Sequence, residues 1–218
     1  MAQQAYEILL ERILLGEYLP GASLLEKEIA KDLNLSRTPV REALLRLKLE
    51  GLVEVIPRGG IFVAEASINM IRGVTEVRLI LEDYLSRLAV ERCTEELLTK
   101  FQAWLEKSEA SWGRLTPKER KRRDGDFHRF MYRAAGNETL ARHLTLLRNQ
   151  GVLFWGQSLE RPSLAEIIGD FKEAYDALKE RDAERCVRVL RRHVLDNVEL
   201  IQKFMKPEAL EFAALQER

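Results

Sequence analysis

The sequence predicts a mainly α protein: an N-terminal winged helix-turn-helix domain with a small β-hairpin wing, then an all-α helical bundle. Three observations carry this expectation. Apolar residues recur at helical spacing through most of the 218 residues. Strand-like composition is concentrated in one glycine-bearing stretch, LVEVIPRGGIFVAE, and that stretch follows two helix patterns only a few residues apart. The domains are expected at residues 1–66 and 67–218.

Residues 2–15 read as an amphipathic helix with Ile8, Leu9 and Ile13 inward, closed by Gly16 and the turn LPGA. A short helix, LEKEIAKDL, follows, and a turn around Asn34 and Ser36 leads into a third helix, from about Ser36 to Glu50. Ser36 is placed to cap it, because a serine hydroxyl can accept a hydrogen bond from a first-turn N–H; Pro39 falls early enough to forfeit little. Val40, Ala43, Leu44 and Leu47 form the buried stripe, while Arg37, Thr38, Arg41 and Arg46 fall largely outside it. LVEVI and IFVAE then flank the turn PRGG as a hairpin. In such a fold the third helix is the one whose first turn enters the major groove, where arginine grips guanine and threonine meets base edges or phosphate. The plainer alternative is a solvated face whose arginines pair with Glu42 and Glu50.

The distribution of charge limits the electrostatics of any nucleic-acid contact. Net charge is zero, and residues 1–66 hold 8 Lys or Arg against 10 Asp or Glu, so that half carries no bulk basic footprint. Between Ser36 and Gly60 the sign reverses, with Arg37, Arg41, Arg46, Lys48 and Arg58 against Glu42, Glu50 and Glu54. This predicts a focused contact surface with modest non-specific affinity. A hydrophobic fraction of 46% with 32% charged residues is ordinary for a globular protein. No apolar run approaches the roughly 20 residues of a membrane span, so no membrane is expected. The N-terminus lacks the pattern of a secretory leader, and two distant cysteines, Cys93 and Cys186, fit buried thiols in a reducing cytoplasm.

From about Ser67 one amphipathic helix follows another, with breaks near Cys93, Thr116, Gly136, Pro162 and Arg181 and a last helix after Pro207. Val187, Leu190, Val194, Val198, Ile201 and Met205 make one stripe, and Leu164, Ile167, Ile168, Phe171, Tyr175 and Leu178 another. In the first bundle helix, Arg78 interrupts the stripe of Ile71, Val74, Leu81, Leu85 and Leu88. Its planar guanidinium could hold a carboxylate through two parallel hydrogen bonds, which makes an organic acid a natural ligand. Pairing with Glu82 or Glu109, or snorkelling to the surface, is the alternative. Asp124 and His128, four apart on one helical face, could join His193 around a divalent ion such as Zn, Ni, Fe or Mn, or form a plain hydrogen-bonded pair. The run KERKRRD is expected to be a solvated helix start, and Trp104, Trp112 and Trp155 to fill the bundle.

The run GEYLPGASLLEKEIAKDLNLSRTPVREALLRLKLEGLVEVIPRGGIFVAE resembles the winged-helix domain of GntR-type bacterial transcription regulators, with SRTPVREAL its most specific part. VRLILEDYLSRLA, DGDFHRFMYRAAGN and YDALKERDAERCVRVLRRHV resemble the FCD effector domain of the FadR subfamily. The resemblance implies a regulator that binds a palindromic operator as a homodimer and responds to a small carboxylate metabolite. It implies that Ser36, Arg37, Thr38, Arg41 and Arg46 face double-stranded operator DNA, with Arg58, Gly59 and Gly60 of the wing beside the minor groove or backbone. It also implies effector contacts from Arg78 and a metal on Asp124, His128 and His193. The family's remaining histidine ligand falls on Phe171, which cannot coordinate, so the implied metal site is incomplete and Phe171 would line the effector pocket instead. A metal-dependent enzyme built on the same three ligands, and a constitutive DNA-binding protein without an effector, are the alternatives.

Overall fold

The computed structural model describes residues 1–65, 67–155 and 164–204. The expected break at Pro162, the final helix after Pro207, Met205, and the side chains of Trp155, Leu164, Val198 and Ile201 lie outside the described residues. The chain divides into two compact units, one built on Met1–Ile71 with the C-terminal part of the seventh helix, the other on Arg72–Thr145 with the eighth and ninth.

In the first unit, helices α1 (Ala2–Leu14), α2 (Glu26–Asp32) and α3 (Arg37–Leu49) precede strands β1 (Val53–Ile56) and β2 (Gly60–Val63). Helix α1 packs chiefly on α3, so that Ala5, Leu9 and Ile13 share a core with Val40, Ala43, Leu44 and Leu47. Ile8, expected inward, is half-buried at the edge of this stripe. Truncating any of these leucines to alanine would cost about 2–5 kcal/mol. The strands pair antiparallel, Val53 with Val63 through Ile56 with Gly60, and Ser23 bridges to Phe62 on the outer edge. The hairpin turns at Arg58, whose φ of 61° is left-handed, and at Gly60, whose φ of 122° suits glycine. The arginine of the wing therefore sits at its tip.

The second unit is helical throughout its described residues. Helix α4 (Ile68–Arg92) leads into α5 (Glu95–Ser111), a 3₁₀ turn at Trp112–Arg114, α6 (Pro117–Ala135), the N-terminal part of α7 (Glu138–Trp155), α8 (Leu164–Glu180) and α9 (Ala183–Phe204). The expected breaks have visible causes. Thr116 and Glu119 form a reciprocal capping box around Pro117, and Gly136 ends α6 in the left-handed conformation. Phe101, Phe127, Phe171, Met131 and Leu178 lie at the centre of the core, with Trp112 buried and Trp104 half-buried against it. Cys93 and Cys186 are free and buried, and burial pushes the Cys186 thiol up to about 12.

Candidate nucleic-acid interface and buried polar centre

The first turn of α3 stands in solvent. Arg37 and Arg41 have side chains 71% and 72% exposed, and both approach Glu26 of α2, at 3.2 and 3.9 Å. Ser36 occupies the cap position with extended backbone, but its side chain makes no cap hydrogen bond, contrary to expectation. Proline explains part of this: Pro39 is the third helical residue, and it lacks the N–H that a capping serine usually engages there. The positive end of the helix macrodipole and the serine hydroxyl thus face outward beside Thr38.

Arg46, expected on the same face, has different partners. It donates to Gln3 at 2.8 Å and to Glu50 at 3.2 Å, and its guanidinium lies 3.6 Å from the ring centre of Tyr6. Tyr6 in turn donates to Glu50 at 2.7 Å. Burial, followed by the Glu50 hydrogen bond and charge, raises the Tyr6 hydroxyl to about 12, so it remains a donor. This cluster ties α1 to the end of α3.

In the second unit the expected ligands converge. Asp124 and His128 project from one face of α6, His193 comes from α9, all three are buried, and their ligand atoms lie within 4.8 Å of one another. His193 Nε2 is 3.1 Å from Asp124 Oδ1, and His128 Nε2 is 3.9 Å from the same oxygen. Bonds of about 2.0–2.2 Å to one ion would set neighbouring ligand atoms about 3–4 Å apart, so two imidazoles and a carboxylate at these distances fit a divalent metal.

Each imidazole also meets an acid through its other nitrogen. Glu82 Oε1 lies 3.9 Å from His128 Nδ1, and Asp170 Oδ2 lies 3.2 Å from His193 Nδ1. Glu82 also accepts from Arg78 at 3.1 Å, and Asp170 accepts from Arg192 at 2.6 Å. Arg78, Glu82, His128, Asp124, His193, Asp170 and Arg192 therefore form one seam of alternating acids and bases across α4, α6, α9 and α8. Burial alone would lower His193, but hydrogen bonds to Asp124 and Asp170, with their charges, raise it to about 9. Burial pushes Asp170 upward; contacts with His193 and Arg192 outweigh that and hold it below the usual carboxylate range.

The sequence offered Glu82 as one partner for Arg78 but gave no reason to single out Asp170. An acid within the apolar stripe of α8, one residue before Phe171, was the available signal. Glu109, the other acid considered for Arg78, pairs instead with Lys172 at 3.7 Å. Phe171 stacks on Phe127, with ring centres 4.4 Å apart, and lies 6.0 Å from the His193 ring.

Comparison with known proteins matches residues 1–63 to the description "Bacterial regulatory proteins, gntR family" and residues 74–196 to the FCD domain. The chain is a GntR-family transcriptional regulator with an FCD domain. This regulator is 25% identical to the HTH-type transcriptional repressor RspR of Escherichia coli, over 92% of this chain and 89% of that one. It is 31% identical to an HTH-type regulator of Streptomyces ambofaciens, over 90% and 84% of the two chains. The solved structure of E. coli McbR/YncC is similar with a TM-score of 0.83 at 26% identity, covering 94% of this chain and 98% of that one. These relatives are named as regulators of transcription, which supports a GntR-type regulator over an enzyme. Among the described residues, no helix is long and apolar enough to cross a membrane.

Proposed function

We propose that this cytoplasmic regulator binds a palindromic operator as a homodimer through residues 1–66, and that a small carboxylate held in residues 67–218 changes its affinity for DNA. The DNA half is carried by the first turn of α3, where two exposed arginines stand beside a serine that makes no cap bond. That arrangement suits base contacts from Arg37 and Arg41, and phosphate contacts from Ser36, Thr38 and the backbone N–H groups of the turn. Arg58, Gly59 and Gly60 at the wing tip suit the neighbouring backbone or minor groove. Arg46 is assigned instead to the α1–α3 junction, since reaching DNA would mean leaving Gln3, Tyr6 and Glu50.

The effector half rests on the buried guanidinium of Arg78 in the seam that holds Asp124, His128 and His193. A divalent ion on these three residues would supply open coordination positions for a carboxylate oxygen. Glu82 and Asp170 orient the two imidazoles from behind. Phe171 contributes an apolar wall, and a carboxylate reaching Arg78 competes with Glu82.

The test is fluorescence anisotropy with a site selected by the protein from random DNA. Arg41→Ala should cost about 1–3 kcal/mol at that site, with discrimination relaxed at one position if the contact is to a base. A phosphate contact would weaken all sequences alike and reduce the salt slope by about one. Unchanged affinity and salt dependence in Arg37→Ala, Arg41→Ala and the double variant would refute the docking. For the effector, carboxylates are screened by thermal shift with and without added metal; no stabilisation by any of them counts against a ligand-responsive regulator.

A further inference from the structure

The two exposed arginines of α3 share one acid, and it comes from α2. Glu26 Oε2 lies 3.2 Å from a terminal nitrogen of Arg37, and Glu26 Oε1 lies 3.9 Å from Nε of Arg41. Each carboxylate oxygen thus serves a different guanidinium. Exposure separates the three as well, since the arginine side chains are mostly in solvent whereas that of Glu26 is only 19% exposed. The acid is the anchored member of the group. Fold stability does not account for it: ion pairs made by exposed arginines add little, because water screens them and two long side chains must be held still.

For DNA binding the placement matters more. A carboxylate beside the first turn of α3 repels phosphate, so it lowers affinity for every sequence alike. Against that loss, it restricts two long side chains before DNA arrives, which lessens the ordering cost of a contact that needs the guanidinium aimed. The atoms left over suit such a contact. Arg41 approaches Glu26 through Nε, which leaves Nη1 and Nη2 as the parallel donors that guanine O6 and N7 accept together. A phosphate oxygen takes one N–H from many directions, whereas a guanine edge requires two at once. Aim therefore favours the specific complex, the negative charge penalises both complexes, and the ratio between them rises.

We infer that Glu26 is a positioning residue for operator recognition, a single carboxylate that aims Arg37 and Arg41 and suppresses binding to other DNA. This rests on the reading that the two arginines meet DNA. The experiment is fluorescence anisotropy of the full chain on the selected site and on a scrambled duplex of equal length, over a salt series, with melting curves alongside. Glu26→Gln keeps the size and an acceptor oxygen but loses the charge. Its affinity for the scrambled duplex should rise about three- to tenfold with a steeper salt slope, and the ratio of selected to scrambled affinity should fall about tenfold. Glu26→Asp keeps the charge one methylene short of the arginines, so scrambled affinity should stay at the wild-type value while affinity for the selected site falls several-fold. Melting midpoints should not move. An unchanged ratio in Glu26→Gln, a Glu26→Asp that discriminates like wild type, or a lowered melting midpoint in Glu26→Gln overturns the positioning role. If the Arg37→Ala, Arg41→Ala double variant binds the selected site like wild type, the DNA reading falls too. If that double variant loses the site and adding Glu26→Gln to it still lowers the ratio, Glu26 acts without the arginines and this inference alone fails.

Discussion

Arg78→Met separates the two roles open to the buried guanidinium. The substitution removes the cation that lies 3.1 Å from Glu82 and leaves that carboxylate fully buried. Breaking a buried pair from one side costs about 3–5 kcal/mol, because the surviving charge has lost its nearest cation with no water to take that place. For a domain of this size each 1 kcal/mol moves the melting midpoint by roughly 2–4 °C. The variant should therefore melt about 10 °C below wild type with no carboxylate added. Adding Glu82→Leu removes both charges at similar volume and should recover most of the loss. Scanning calorimetry on wild type, the single and the double variant reads the effect, and titration with a stabilising carboxylate reads the ligand role separately. A single variant melting within about 2 °C of wild type would refute the claim that Glu82 depends on Arg78. A double variant no better than the single would refute the pairing itself.

Three further outcomes are expected. In metal-free protein, His193 is held at about 9 against an ordinary 6.5, so its contribution to stability is fully present below pH 6.5 and is lost as pH rises through 9; His193→Gln should flatten that part of the profile of Tm against pH, and an unchanged profile would contradict the assignment. Arg46→Ala should lower the Tm of the first unit by several degrees, with little change in the salt slope of DNA binding, whereas Arg41→Ala should do the reverse; a matched pair of melting and anisotropy series decides it. Phe171→His adds a fourth ligand to a three-ligand set and should raise divalent-metal occupancy after identical purification, while His193→Ala should lower it; elemental analysis showing equal emptiness in all three proteins would mean that this pocket is not a metal site.

The parts of this molecule that depend on periodicity and turn chemistry were legible in the sequence. The stripe of Val40, Ala43, Leu44 and Leu47, the break at Thr116 and the glycine at 136 each mark an element whose cause is local. Asp124, His128 and His193 could be grouped because a four-residue spacing fixes two of them on one face. Asp170 and Arg192 could not, since which acid meets the far side of an imidazole is set by the packing of α8 on α9. Arg46 shows the limit of helical spacing in another way. Its place outside the apolar stripe follows from the sequence, but helical spacing says nothing of a tyrosine forty residues earlier that folds beneath it. At Ser36 residue type alone points to a cap hydrogen bond, and the missing donor of Pro39, three residues further along, has to be weighed with it.

The polar seam also restricts how the helices can slide. Val187, Leu190 and Val194 would find comparable apolar neighbours if α9 slipped by one turn, because one methyl replaces another at little loss. His193 would not. A slip of one turn carries it about 5.4 Å along the axis and strands Asp124 on one side and Asp170 on the other as buried charges. The misregistered bundle is thus penalised by groups that add little to the correct one, and a seven-residue chain of acids and bases acts as a ratchet tooth between helices whose oily faces would tolerate several alignments.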